Sequence, residues 1–166
     1  MVLTTTRCVL RPITAADESQ LHELWTNAGI RRYLWDDEVI PLARTRAAIE
    51  HSERLFEERG FGLWGARPTD SPNLGAFAGL WPFRDPPELE LLYGVAERLW
   101  GTGYAPEIAQ AVIAHCFGSL NMPVVRASTD AANAASVQVL EKLGFRLACR
   151  KTVGGLDTNF YELQSV

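Results

Sequence analysis

The chain has 166 residues, 47% of them apolar, and a formal net charge of −4. That length and apolar share suit one compact core and exclude a disordered chain. The acidic balance excludes broad nucleic-acid binding, which needs a dense basic face.

In chain order, residues 7–13 (RCVLRPI) read as a first strand. Thr14 then opens a helix, with Asp17 three residues later as a capping-box partner. Leu21, Leu24 and Trp25 give that helix an apolar stripe. The stretch IRRYLWDDEVI reads as a connection. Pro41 suits the first turn of a second helix and Gly60 its end. Three strands follow: FGLWGARP, LGAFAGLWPF and ELELLYGV. DSPN and RDPP supply the turns between them, which predicts an antiparallel meander. Residues 103–117 return to helical spacing. VVRAST is a short strand. Asn133 to Leu143 is a helix stopped by Gly144. FRLACRKTV and TNFYELQSV close the chain as two strands. The predicted order is β-α-α-β-β-β-α-β-α-β-β, an α/β domain around a mixed sheet.

Cys8, Cys116 and Cys149 are odd in number and form no CxxC pair, so neither a disulfide framework nor a zinc site is expected. His22, His51 and His115 lie in predicted helices without ligand spacing, and no metal is expected. No apolar run is long enough to cross a bilayer, and the opening MVLTTTRCVLRPIT lacks the regions of a signal peptide. A cytoplasmic protein with no membrane and no nucleic-acid partner is the expectation.

The most informative segment is Arg98-Leu99-Trp100-Gly101-Thr102-Gly103-Tyr104-Ala105, between a predicted strand and a predicted helix. Backbone N–H groups at a helix N-terminus lack internal partners and bind phosphates. Glycines at 101 and 103 let a pyrophosphate approach the backbone closely. The spacing is neither a dinucleotide fingerprint nor a Walker loop. From the glycines alone, a phosphate site and a plain glycine turn are equally good readings.

RxxGxG after a strand and opening a helix resembles the acyl-CoA-binding motif of the GNAT (Gcn5-related N-acetyltransferase) superfamily. The wider stretch, Glu90-Leu-Leu-Tyr-Gly-Val to Trp100-Gly-Thr-Gly-Tyr-Ala-Pro-Glu107, resembles its RimJ/RimL-like branch. So do the opening Arg7-Cys-Val-Leu-Arg-Pro-Ile-Thr-Ala-Ala-Asp17 and Asn133-Ala-Ala-Ser136 followed by Leu140-Glu-Lys-Leu-Gly-Phe145. The segments come in the family's order. The resemblance implies the GNAT fold over residues 1–166, a single N-acetyltransferase domain with a central mixed, mostly antiparallel sheet flanked by helices. It implies an acyltransferase that uses acetyl-CoA as cosubstrate, without a metal, to acetylate a protein N-terminus or a small-molecule amine by direct attack in a ternary complex. A homodimer is an expectation of the family.

By this resemblance, backbone groups from Arg98 through Leu99, Trp100, Gly101, Thr102, Gly103 and Tyr104 to Ala105 hold the pyrophosphate. Tyr93, Gly94 and Val95 lie beside the pantetheine arm, and Asn133 and Ser136 line the channel near the sulfur. Glu90 matches an acidic position and is the candidate base. It shares a strand face with Glu88 and Leu92, so a solvated acidic face is the competing reading. Asn133 also fits a plain helix N-cap. Family members carry a tyrosine acid where this chain has Leu140; Ser136 is the substitute candidate and Tyr161 a distant one. The departure keeps open a non-catalytic acyl-CoA-binding module. Trp35-Asp36-Asp37-Glu38 is either an acidic guide for a cationic amine or a solvated loop. Trp64, Trp81 and Phe83 either wall an acceptor pocket or belong to the core.

Overall fold

A computed structural model describes residues 1–84 and 87–166. The expected RDPP turn therefore lies partly outside the described residues. Eight strands form one sheet: β1 Leu3–Thr4, β2 Cys8–Pro12, β3 Leu63–Pro68, β4 Ala76–Phe83, β5 Glu88–Val95, β6 Val124–Asp130, β7 Arg146–Val153 and β8 Leu156–Gln164. Their spatial order is β1-β2-β3-β4-β5-β6-β8-β7. Every neighbouring pair is antiparallel except β5–β6. The helices are α1 Glu18–Thr26, α2 Ala28–Leu34, α3 Leu42–Arg59, α4 Tyr104–Gly118 and α5 Ala134–Lys142.

The sheet separates two cores. On one face, Leu10, Trp64, Ala78 and Leu91 pack with Ile108, Val112 and Cys116 of α4 and Leu140 of α5. On the other, Phe77 and Leu63 pack with Leu21, Trp25 and Ile49 of α1 and α3. Alternation along the strands assigns neighbours to opposite faces: Leu91 and Val95 to the α4–α5 side, Leu92 to the α1–α3 side. Thr14 and Asp17 form the expected capping box, although the first turn, Ala15–Asp17, is 3₁₀ rather than α. Gly60 caps α3 in the left-handed region.

Two expectations need correction. The connection expected from Ile30 contains a helix, α2, capped by Asn27, whose side chain accepts from the Gly29 N–H at 2.9 Å. It is seven residues long and buries only Ile30, so it carries no apolar stripe to read. A two-residue strand, β1, also precedes the first expected one and pairs with it through Leu3–Leu10 and Thr4–Val9.

Candidate active site

β4 pairs with β5 along its whole length, from Ala76–Val95 to Phe83–Glu88. On its other edge β5 meets β6 in register at a single pair, Glu90–Arg126. Beyond Glu90 the parallel strands part, leaving a gap beside Leu91–Val95. Two side-chain contacts bridge it. On the α1–α3 face, Ser128 Oγ donates to Glu90 Oε2. On the α4–α5 face, the Tyr93 hydroxyl lies 3.0 Å from Ser136 Oγ and 3.4 Å from the Ser136 carbonyl. Burial pushes the Tyr93 phenol up to about 12, against the lowering effect of the Ser136 hydrogen bond. Tyr93 therefore keeps its proton throughout the neutral range. Asn133 caps α5, accepting from the Ser136 N–H at 3.2 Å, and so fixes where Ser136 stands.

The glycine turn joins the end of β5 to α4. A 3₁₀ turn, Glu97–Leu99, leads into it. The Trp100 indole donates to the Val95 carbonyl at 2.7 Å, and Thr102 Oγ1 to the Leu99 carbonyl. Gly101 and Gly103 have φ of +71° and +83°. A Cβ at Gly101 would meet nothing within 4 Å, so the protein leaves open the space above it. Gly103 caps α4, whose first bond runs from Glu107 N to Gly103 O. Pro106 carries no N–H, so Tyr104 and Ala105 present the free donors of that helix end. Arg98 is exposed and forms no ion pair among the described residues.

A residue not singled out in the sequence holds this turn. Arg7, at the start of β2, donates Nη1 to the Thr102 carbonyl at 2.8 Å and Nε to Glu107 at 2.7 Å. Its backbone N–H reaches the same carboxylate at 2.9 Å, and its guanidinium lies 4.2 Å over the Tyr104 ring. Glu107, in the first turn of α4, clamps Arg7. Burial raises the Glu107 carboxyl, but hydrogen bonds from Thr5 and Arg7 outweigh it and hold the group below its ordinary value. The Arg7 contacts span 95 and 100 residues, so no local spacing reveals them.

Glu90 is 2% exposed, which rules out the solvated-face reading. Arg84 engages one of its oxygens and Ser128 the other. Both partners were missed, because one sits in a turn and the other on a strand distant in sequence. A groove of about 800 Å³ runs between the end of α2 and the β6–α5 connection. Asp36, Asp37, Asp130 and Asp157 line it together with Arg32 and Arg150. Asp37 pairs with Arg31 and Asp157 with Arg150, both at 3.0 Å. Asp36 and Asp130 have no ion-pair partner among the described residues. The Asp130 carboxyl is raised, by burial first and by Asp36 second. The acidic loop thus faces the cleft through Asp36 and Asp37, whereas Glu38 turns to Arg44.

The remaining candidates divide cleanly. Trp81 and Phe83 wall a cavity of about 70 Å³ on the Glu90 face, together with Trp25, Leu34, Trp35 and Leu92. Trp64 does not; it is fully buried on the other face, against Phe56 and His115. Tyr161 is buried in the α4–α5 core, close enough to add to the Tyr93 shift. Leu140 is core. His22 bonds Thr45, His115 bonds the Gly60 carbonyl and His51 packs on Trp81. Burial pushes the Cys8 and Cys116 thiols up to about 11 and about 12, so neither is a nucleophile at neutral pH. No group that could hold a metal occurs among the described residues, and no described helix is long and apolar enough to cross a membrane.

The fold has counterparts in known proteins. The acetyltransferase (GNAT) domain family matches residues 7–146. The chain belongs to this family and is an acetyl-transferring enzyme. An uncharacterized N-acetyltransferase, YoaA of Bacillus subtilis, is 25% identical over 146 residues, covering 87% of this chain and 82% of that protein. A GNAT-family acetyltransferase structure from Bordetella pertussis superposes with a TM-score of 0.84 at 23% identity, covering 98% of both chains. RimL, a ribosomal L7/L12 α-N-protein acetyltransferase solved with coenzyme A, gives a TM-score of 0.82 at 18% identity over 99% of this chain and 98% of its own. These structures share the fold; enzymes of the family use acetyl-CoA and act on amine acceptors.

Proposed function

We propose that this chain transfers the acetyl group of acetyl-CoA to a primary amine, either a protein N-terminal α-amine or a small-molecule amine, by direct attack in a ternary complex. The observation that carries this reading is the single-pair β5–β6 ladder, which opens a gap ending at the glycine turn of α4. The residues fit the cosubstrate: open space above Gly101 and free N–H groups at Tyr104 and Ala105 suit a pyrophosphate. Arg98, Leu99, Trp100, Thr102 and Gly103 complete the turn, and the edge of β5 at Tyr93, Gly94 and Val95 suits a pantetheine arm. Acetyl-CoA supplies an activated acyl group with a thiolate leaving group.

The chain's own groups then divide the remaining work. Ser136 gives a proton to the departing sulfur, and Tyr93, which keeps its own proton in the neutral range, orients the Ser136 hydroxyl. A dedicated strong acid is unnecessary for a thiolate. Glu90 takes a proton from the acceptor amine through a water. Arg84 and Ser128 hold its oxygens, and an α-amine of pKa about 7.7–8.0 asks less of a base than a lysine of about 10.4. Asp36 and Asp130 draw a cationic amine into the groove. The α-N-protein acetylation named for RimL supports the same preference. Under this reading residues 1–166 act as one domain, in the cytoplasm.

The first test is thermal unfolding with and without acetyl-CoA, for the parent and for Gly103→Glu. At 100 times its dissociation constant the ligand adds about 2.7 kcal/mol, which for a domain of this size raises Tm by roughly 5–10 °C. A rise in the parent that is lost in the folded variant supports the turn as the CoA site. No rise at millimolar acetyl-CoA overturns the reading.

A further inference from the structure

Trp100 belongs to the glycine turn, yet its side chain has no task in holding a pyrophosphate. The ring is 53% exposed and still fixed at both ends. Its indole N–H donates to the Val95 carbonyl at 2.7 Å, where β5 ends. Its far edge lies on Gly29, in the first turn of α2. A Cβ at Gly29 would come within 2.5 Å of Trp100 Cη2 and 2.7 Å of Cζ2, closer than a side chain tolerates. Gly29 does not have a positive φ, so the ring and not the backbone angle calls for glycine there. Glycine inside a helix costs about 1 kcal/mol relative to alanine.

From Gly29 the contact runs on to the groove. The Asn27 side chain caps α2 at the Gly29 N–H. The helix buries only Ile30, so its seating depends on few contacts. Seven residues span about 10 Å. At the far end, the Arg31 carbonyl accepts from the Trp35 and Asp37 N–H groups, both at 2.9 Å, and Arg31 Nε donates to Asp37 Oδ1 at 3.0 Å. Asp36 and Asp37 then line the groove. One unbroken series of contacts thus joins Val95, Trp100, Gly29, Arg31 and Asp37. We propose that Trp100 is a positioning residue that couples the two sites. Acetyl-CoA at the turn fixes the indole, the indole seats α2, and α2 sets the acidic wall of the groove. The inference rests on the acetyl-transfer reading above. Gly101, next in the chain, has φ of +71° and open space above it, so a ligand filling that space restrains the backbone that carries the ring. The coupling is mutual: the factor by which CoA strengthens the groove's hold on a cation is the factor by which the cation strengthens the hold on CoA.

The test is hydrogen exchange on the full chain, free and with CoA at 100 times the dissociation constant measured for each variant. In the parent, CoA should slow exchange over residues 28–37 by about five-fold or more, the lower end of the usual coupling between sites, as well as in the first turn of α4. Gly29→Ala places a methyl group against the ring and leaves the turn's own residues untouched. CoA should still slow exchange in α4 of this variant, while the slowing over residues 28–37 disappears. Trp100→Phe should behave alike, because its smaller ring lacks both the N–H and the atoms that meet Gly29. No CoA-dependent change over residues 28–37 in the parent overturns the proposal. So does the same CoA-dependent slowing in Gly29→Ala as in the parent. A merely structural contact predicts that Gly29→Ala speeds exchange of α2 by one factor with and without CoA, and that result also overturns it. Failure of the acetyl-transfer reading shows separately, as no slowing in β5 or α4 and no rise in Tm with acetyl-CoA, and takes this inference with it.

Discussion

Under the proposed reading, Ser136 is the reacting member of a hydroxyl pair and Tyr93 its support, a division that can be measured. Ser136→Ala removes the proposed proton donor to the leaving sulfur. Its kcat should fall by about 10²-fold or less, because a thiolate leaves without full protonation, and the KM for acetyl-CoA should change little. Tyr93→Phe leaves Ser136 in place but unoriented, so its loss in kcat should be smaller. Its pH–rate profile should match the parent's, since the phenol does not titrate in the working range. Comparable losses in both variants, or a displaced alkaline limb in Tyr93→Phe, would transfer the acid role to Tyr93. Single residues also show where sequence reading stops. Glu90 looked equally like a base or a solvated acid, because its partners Arg84, in a turn, and Ser128, on a distant strand, leave no mark in the strand's alternation. The Asn133 cap, by contrast, was legible from its place before the last helix, whereas a site role for Asn133 and Ser136 came only from the family's motif.

The turn before α4 is an element held from outside. Its left-handed glycines set the backbone path, but Arg7 and Glu107 tie that path to the first strands. A carboxyl held below its ordinary value stabilises the fold above the unfolded value, here 4.5, and the contribution disappears as pH falls through the folded one. Glu107→Gln should therefore lower Tm by several degrees at neutral pH, and the gap to the parent should close as the solution is acidified below pH 4.5. A gap that stays constant with pH would mean that the loss is one of packing, not of the ion pair. At this scale the sequence was most readable where local rules suffice. β5 appears with its expected ends, and α3 and α5 stop at their expected glycines. The helix α2 escaped because its stability comes from Ile30 entering a core built by distant segments, not from its own periodicity.

For the molecule as a whole, the β3–β5 meander follows from short turns and the two faces of β5 from alternation, and the family's motifs carried most of the rest. What no motif disclosed is the pair of side-chain bridges across the gap, since each joins residues that only the finished sheet brings together. The single Glu90–Arg126 pair has a further consequence, one of cooperativity. A sheet continuous in outline is joined at its centre by one parallel register pair, so β1–β5 and β6–β8 approach two separately opening units. Native-state hydrogen exchange should resolve them: amides of the β6–β8 ladder and of the β2–β5 ladder should fall into two groups with different opening free energies. Acetyl-CoA, lying along β5 and reaching α5, would draw the two groups together. A single global exchange class in the free protein would show that the bridges Glu90–Ser128 and Tyr93–Ser136 already weld the halves. Two classes would make the cosubstrate itself the missing rung of the sheet.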